Sequence, residues 1–333
     1  VRRLLGSAFG AAASLRVAAY RRGLLPRARL AGPVVSVGNL SVGGSGKTPV
    51  VARVAGILRD AGLPVSILSR GYGGSFRGDA LVVSDGATVL GGAAEAGDEP
   101  VMLARALPGV VVAVGRRRDA VGRAVEARFG SHAHVLDDGF QHLRLARDLD
   151  IVCLDVRDLE DRPMPAGRLR ERPSAVGRAD LVLLTRIEAA SEPELRALED
   201  RLGPERSFRV ARRVAGWQAL DGKTSAPPGR AFLLAAIARP ERFERDVTAT
   251  GVAVVGRAFF RDHHRFRADD LARVAEEARA AGAEAVVTTA KDGVRLEGAR
   301  GFGLPVVVLA IAADIADEAR LRARLLPAMG RAA

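Results

Sequence analysis

Short apolar runs alternate with amphipathic stretches along most of this 333-residue chain. The Val-, Ile- and Leu-rich runs at residues 34–37, 64–70, 110–114, 134–136, 150–154 and 180–185 have the length and β-branching of strands buried on both faces. Between them, residues 50–61 and 101–107 repeat apolar positions at helical spacing. A charged, turn-rich stretch at 191–206 then interrupts the pattern. Beyond it, strands are expected at 208–216, 230–238, 252–260, 285–289 and 305–311, and helices at 241–248 and 268–281. Strands alternating with helices predict an α/β fold with a doubly wound, mostly parallel sheet and a second, smaller α/β lobe. The predicted organisation is an amino-terminal helix over 1–22, a core over 23–206, and a carboxy-terminal lobe over 207–333 that closes over the core's site.

Residues 4–19 are apolar and rich in small side chains, with Arg2-Arg3 and Arg21-Arg22 at the ends and Arg16 inside. The stretch is short of the about 20 apolar residues that a spanning helix needs. Leu4, Leu5, Ala8, Phe9, Ala12, Leu15 and Ala19 can share one helical face edged by arginines, which best fits a helix lying in an anionic membrane interface. A helix docked on the protein and a signal peptide are the alternatives, the latter opposed by the nucleotide site described next.

The strand at 34–37 feeds Gly43-Gly44-Ser45-Gly46-Lys47-Thr48, and a helical pattern follows. Strand, glycine-rich turn and helix are the context of a P-loop, in which converging backbone N–H groups at a helix N-terminus cradle phosphates. Lys47 would reach the β/γ-phosphates and Thr48 would hold Mg²⁺. The usual pattern has glycine five residues before Gly46, where this chain has Ser41. Lysine is otherwise found only at 223 and 291, arginine supplying the rest of 51 basic residues, so a lysine at 47 carries weight.

The strand at 134–136 ends in Asp137-Asp138-Gly139, a Walker B pattern that orients Mg²⁺ or its waters. Adjacent strand residues point to opposite faces, so both aspartates act only if Asp138 lies in the following turn. Arg70, at another strand end, either meets an anionic group in the crevice or sits on a surface turn. Gly115-Arg116-Arg117-Arg118 offers phosphate contacts or a solvated charge run. Asp98 stands where a helix N-cap belongs; capping is the simpler account of the spacing, and a general base is the other. Adjacent His263 and His264 admit acid–base work across an interlobe cleft or metal binding, although no Cys/His partners stand at ligand spacing. Thr288-Thr289-Ala290-Lys291-Asp292 weakly resembles a base-reading loop of P-loop GTPases.

The formal charge of +12 asks for an anionic partner. With one Trp and two Tyr the chain is poorly equipped to stack bases, which argues against nucleic acid. Nothing in it points to an obligate protein partner. A lone cysteine, Cys153, lies in an apolar run and reads as a small core residue in a reducing compartment.

Taken in order, these blocks resemble the tetraacyldisaccharide 4'-kinases of lipid A biosynthesis. The resemblance runs from Tyr20-Arg21-Arg22-Gly23-Leu24 through the P-loop, Ser69-Arg70-Gly71-Tyr72-Gly73, Gly97-Asp98-Glu99-Pro100 and Asp137-Asp138-Gly139-Phe140-Gln141-His142. It continues through Pro165-Ala166-Gly167-Arg168-Leu169-Arg170-Glu171, Asp262-His263-His264 and Thr289-Ala290-Lys291-Asp292. It implies a P-loop NTPase-type fold and transfer of phosphate from ATP, with Mg²⁺, to the 4'-hydroxyl of a lipid A disaccharide 1-phosphate at the cytoplasmic face of the inner membrane. It also implies that Asp98 is the catalytic base and His263 its assistant. Asp137 and Asp138 become the Mg²⁺-site carboxylates, with Thr48 and Glu171 as further candidate ligands, and beside the resemblance Arg70 and Arg118 are candidates for the anionic head group. Ser41 then matches the family's own loop.

Overall fold

The computed structural model describes residues 2–43, 46–296 and 302–330. The apolar runs become strands β1 Val34–Asn39, β2 Val65–Ser69, β3 Leu81–Asp85, β4 Val110–Val114, β5 Ala133–Asp137, β6 Leu149–Asp155 and β7 Leu181–Thr185. The chain from 207 onward adds β8 Ser207–Ala219, β9 Arg230–Ala235, β10 Ala253–Phe259, β11 Ala285–Thr289 and β12 Val306–Ile315. All join one sheet in the order β10-β9-β11-β12-β8-β7-β6-β1-β5-β2-β4-β3. Pairing is parallel except between β3 and β4 and between β8 and β12.

The helices are α1 Arg2–Arg21, α2 Lys47–Asp60, α3 Ala93–Ala96, α4 Asp98–Ala106, α5 Arg118–Phe129, α6 Glu192–Leu202, α7 Pro240–Thr248, α8 Ala268–Ala280, α9 Ala290–Arg295 and α10 Glu318–Met329. β1 is buried along its whole length, so its apolar residues need cover on both faces, and α2 supplies Val50, Val54, Ile57 and Leu58 to one of them. This arrangement fixes the site: β1 and β5 are neighbours in register, with Val37 opposite Asp137, and their C-terminal ends open on the same crevice.

Several elements differ from the sequence pattern for identifiable reasons. β3 is a short, half-exposed edge strand whose run is too weak to register. The stretch at 191–206 holds α6, begun by a capping box in which Ser191 and Glu194 satisfy each other's end of the turn. α10 packs back on α2, where Leu321, Leu325 and Met329 join the cluster that holds Val50 and Val54. β8 is shared, pairing β7 through residues 207–209 and then running antiparallel to β12. Cys153 is buried in β6, and desolvation pushes its thiol up to about 12, which makes it inert.

α1 lies against the loop at 163–172. A Cβ at Gly6 would stand 2.8 Å from the Pro163 carbonyl oxygen, and one at Gly10 would stand 3.0 Å from Arg172, so these glycines seat the helix. The opposite face leaves Leu4 77% and Leu15 72% exposed, with Leu5 and Phe9 also exposed. Among the described residues no helix is long and apolar enough to cross a membrane.

Candidate active site

The P-loop turns on Gly43 and on Gly46, which precedes α2 with φ 78°, a conformation that side chains disfavour. Gly44 and Ser45 lie outside the described residues. Lys47, the first residue of α2, reaches back across the turn to Asp138 Oδ1 at 2.7 Å and to Asp137 Oδ1 at 3.6 Å. Burial disfavours its charge, but the two carboxylates outweigh burial and hold the ammonium above its usual range.

Asp137 is the last residue of β5 and takes a hydrogen bond from Ser69 Oγ on Oδ2 at 2.8 Å. Its Oδ1 is buried without a hydrogen-bond partner. Asp138 has φ 56° and so sits in the turn beyond the strand, the one placement that lets both aspartates face the loop. Burial works against its charge, yet Lys47 and Arg170, the latter at 2.8 Å, hold it at about 2. Glu171 points elsewhere: both its oxygens are bound by Arg178 at 2.7 Å, and Gln141 donates to it at 3.1 Å.

The second half of the site comes from α4. Gly97 takes φ 91°, and a Cβ there would lie 2.4 Å from the Tyr72 carbonyl oxygen, so the turn after β2 and the start of α4 pack closely. The capping reading of Asp98 is thereby corrected. Gly97 occupies the cap, and Asp98, the first helical residue, turns its side chain outward to Arg295 of α9, whose Nε donates to Oδ2 at 2.8 Å. His263 Nδ1 lies 3.7 Å from the same oxygen, and its Nε2 lies 3.3 Å from Lys291 Nζ. His264 instead pairs with Asp270 at 2.8 Å and stacks on Phe260.

Glu99 ties the two halves together. Burial raises its carboxyl, as does Asp137, against the pull of Lys47 and Lys291. Arg70 is exposed beyond β2, whereas Arg118, at the head of α5, is buried. Desolvation lowers Arg118 against the raising influence of Asp137 and Asp138, so this member of the triple arginine faces the aspartates while Arg116 and Arg117 are solvated.

The base-reading likeness of residues 288–292 does not survive. Asp292 is buried with Oδ2 on the Ala236 N–H at 3.0 Å and Oδ1 on Arg295 at 3.0 Å, leaving no free edge for a base. Glu99, Arg295 and Lys291 are the site residues that motif reading missed. Only Lys291 left a signal, as one of three lysines in the chain.

Two cavities lie near the residues described above. One of about 410 Å³ is lined by residues 261–265 beside Asp98's partners. Another of about 300 Å³, lined by Arg186, Glu188, Arg239, Glu241, Arg242 and Arg245, begins one residue beyond Thr185, the nearest neighbour of Gly46.

A family model described as tetraacyldisaccharide-1-P 4'-kinase matches residues 2–330. A tetraacyldisaccharide 4'-kinase of Anaeromyxobacter dehalogenans strain 2CP-C is 48% identical over 305 residues, covering 87% of this chain and 79% of the relative. One of Geobacter sulfurreducens is 40% identical over 324 residues, covering 95% and 90%. The crystal structure of LpxK from Aquifex aeolicus in complex with ATP superposes with a TM-score of 0.80 at 29% identity, covering 98% of this chain and 97% of that one.

Proposed function

The chain belongs to the tetraacyldisaccharide-1-P 4'-kinase family, the ATP-dependent phosphotransferases of lipid A biosynthesis, and from that premise we propose which of its residues carry out the transfer. The observation that carries the reading is that His263 stands 3.7 Å from Asp98, while the next residue, Glu99, feels the charges of Lys47 and Asp137.

ATP seats its phosphates on the loop from Gly43 to Thr48, with the nucleoside end extending over β7 toward the cavity beyond Thr185. Lys47 exchanges Asp138 for the β/γ-phosphates, and Arg170 keeps Asp138 paired when the lysine leaves. The residues fit Mg²⁺: Asp137 Oδ1, which accepts no hydrogen bond, and the Thr48 hydroxyl are the groups that would hold the ion, with Asp138 as a further carboxylate. Glu171 would join only by giving up Arg178. Bound with the nucleotide, the ion would neutralise charge on the β- and γ-phosphoryl oxygens.

Phosphoryl transfer needs placement and charge neutralisation more than covalent chemistry. Asp98 accepts the proton of the sugar hydroxyl as that oxygen approaches the γ-phosphorus. Arg295 fixes one carboxylate oxygen from behind, which aims the other, and His263 stands beside the pair. Arg70 at the mouth and Arg118 deeper in the crevice are placed for the anionic parts of the disaccharide. The test of this assignment separates the two histidines. His263→Ala lowers kcat by about 10²-fold with little change in ATP affinity, whereas His264→Ala lowers Tm through loss of the Asp270 pair and the Phe260 stack and keeps kcat. The opposite pattern removes His263 from the reaction.

The acceptor is acylated, and α1 supplies the means to meet it at the cytoplasmic face of the inner membrane. Each of Leu4, Leu5, Phe9 and Leu15 contributes about 1.5–3 kcal/mol if fully buried in acyl chains. Each arginine near an anionic surface adds about 1 kcal/mol, so the apolar face dominates binding. Replacing the four by Ser therefore abolishes sedimentation with anionic vesicles, while high salt alone only weakens it. Unchanged sedimentation of the fourfold variant would remove α1 as the membrane contact.

A further inference from the structure

The departure of the P-loop at Ser41 has a structural counterpart. Ser41 is absent from the positive-φ positions, so its backbone has no need of glycine. It is buried, and its hydroxyl donates to Asp158 Oδ2 at 3.0 Å. Asp158 is fully buried and also accepts from the Asp155 N–H at 3.2 Å on the same oxygen. Its Oδ1 has no hydrogen-bond partner, the nearest cation being Arg168 at 3.7 Å.

The loop at 168–170 completes the grip from the other side. Ser41 bridges Leu169, Val42 N–H donates to the Arg168 carbonyl at 2.8 Å, and Arg170 N–H donates to the Leu40 carbonyl at 2.7 Å. The first residues of the phosphate loop are thus held by a backbone bridge and one side-chain bond to a buried carboxylate.

We propose that Ser41 and Asp158 form a latch that positions the phosphate loop for ATP through a side-chain bond that glycine at this position could not make. The latch rests on the P-loop as the seat of the triphosphate. Both are positioning residues, since neither contacts the reacting groups.

The surroundings of Asp158 give the latch a pH dependence. Asp155 faces it from β6, itself paired with Arg186 at 2.6 Å, while Arg168 approaches from the 163–172 loop; Arg239, just before α7, acts on Asp155 and Arg168. Burial first, and then Asp155, push Asp158 up to about 6, against the bonds from Ser41 and Asp155 and the charge of Arg168. Above that value the carboxylate accepts a charge-assisted bond from Ser41; below it the bond is between neutral groups and weaker. The KM for ATP of the unaltered protein therefore rises as pH falls through about 6. Stability moves the other way. Between the ordinary value of 3.8 and about 6 the folded state binds more protons than the unfolded, so this group's contribution to stability declines as pH rises. Asp158→Asn thus keeps or raises Tm at pH about 8.

The test measures steady-state kinetics and ATP binding on the full chain for Ser41→Ala, Ser41→Gly, Asp158→Asn, the Ser41→Ala/Asp158→Asn pair and Lys47→Ala. Each single change at 41 or 158 raises the KM for ATP by about tenfold above pH 7, with kcat nearly unchanged. The double variant is no worse than either single one. Asp158→Asn loses the rise near pH 6 without losing stability. Wild-type KM in Ser41→Gly, additive losses in the pair, or an acid rise that persists in Asp158→Asn would overturn the latch. Lys47→Ala reports separately, because normal ATP binding and turnover there would instead bring down the P-loop reading.

Discussion

Asp98→Ala lowers kcat by about 10³-fold, within the 10²–10⁴ range of general-base catalysis, which is about 4 kcal/mol of barrier, and leaves ATP affinity nearly intact. The reason is positional. Asp98 stands at the N-terminus of α4, away from the phosphate cradle, and its contacts are to Arg295 and His263 rather than to Lys47. Its loss removes the group that takes the acceptor's proton without disturbing the donor's seat. Removing the carboxylate also leaves Arg295, whose side chain is only 8% exposed, with Asp292 as its remaining ion pair, so some loss of Tm accompanies the kinetic effect. Asp98→Asn keeps a hydrogen-bond acceptor for Arg295 and isolates the proton-transfer loss. Near-normal turnover by purified Asp98→Asn would remove the base assignment.

Lys47→Ala loses about 10³-fold in kcat or more, on the scale of removing one preorganised charge from a phosphoryl-transfer site, and weakens ATP binding besides. Lys47 lies 3.6 Å from Asp137 Oδ1, while Asp138 has Arg170 as a second partner. Alanine therefore strands charge mainly on Asp137, which costs stability as well as catalysis. Lys47→Arg restores the charge but not the reach of a point ammonium into the cradle, and recovers little activity. The discriminating readout is kcat at saturating ATP; an unchanged value would mean that Lys47 does not act on the transferring phosphate.

The fold was legible where burial on both faces wrote runs rich in Val, Ile and Leu, as in β1, β2, β4 and β7. It was not legible where an element is half exposed, as in β3, or where a charged stretch hides a helix, as in α5 and α6. The proposed donor half of the site followed from local motifs because Lys47 opens α2 just beyond β1, while Asp137 and Asp138 stand at the end of the neighbouring β5. The acceptor half did not, since Asp98 meets Arg295 across 197 residues and one arginine among so many carries no spacing signal. Only the family resemblance singled out Asp98 as a base, where spacing alone favoured a cap. The two histidines, alike in the sequence, differ in their neighbours: His264 pairs with Asp270, while His263, with φ 62°, lies 3.7 Å from Asp98.

The central claim, that the γ-phosphate on this loop goes to the lipid, is tested by incubating the protein with γ-labelled ATP and tetraacyldisaccharide 1-phosphate in mixed micelles. Label recovered in the extracted lipid, one phosphate at the 4'-position for each ADP formed, is the predicted result. ADP formation with the label released as inorganic phosphate and none in the lipid would contradict it and would mark the chain as a P-loop ATPase whose output is a conformational change.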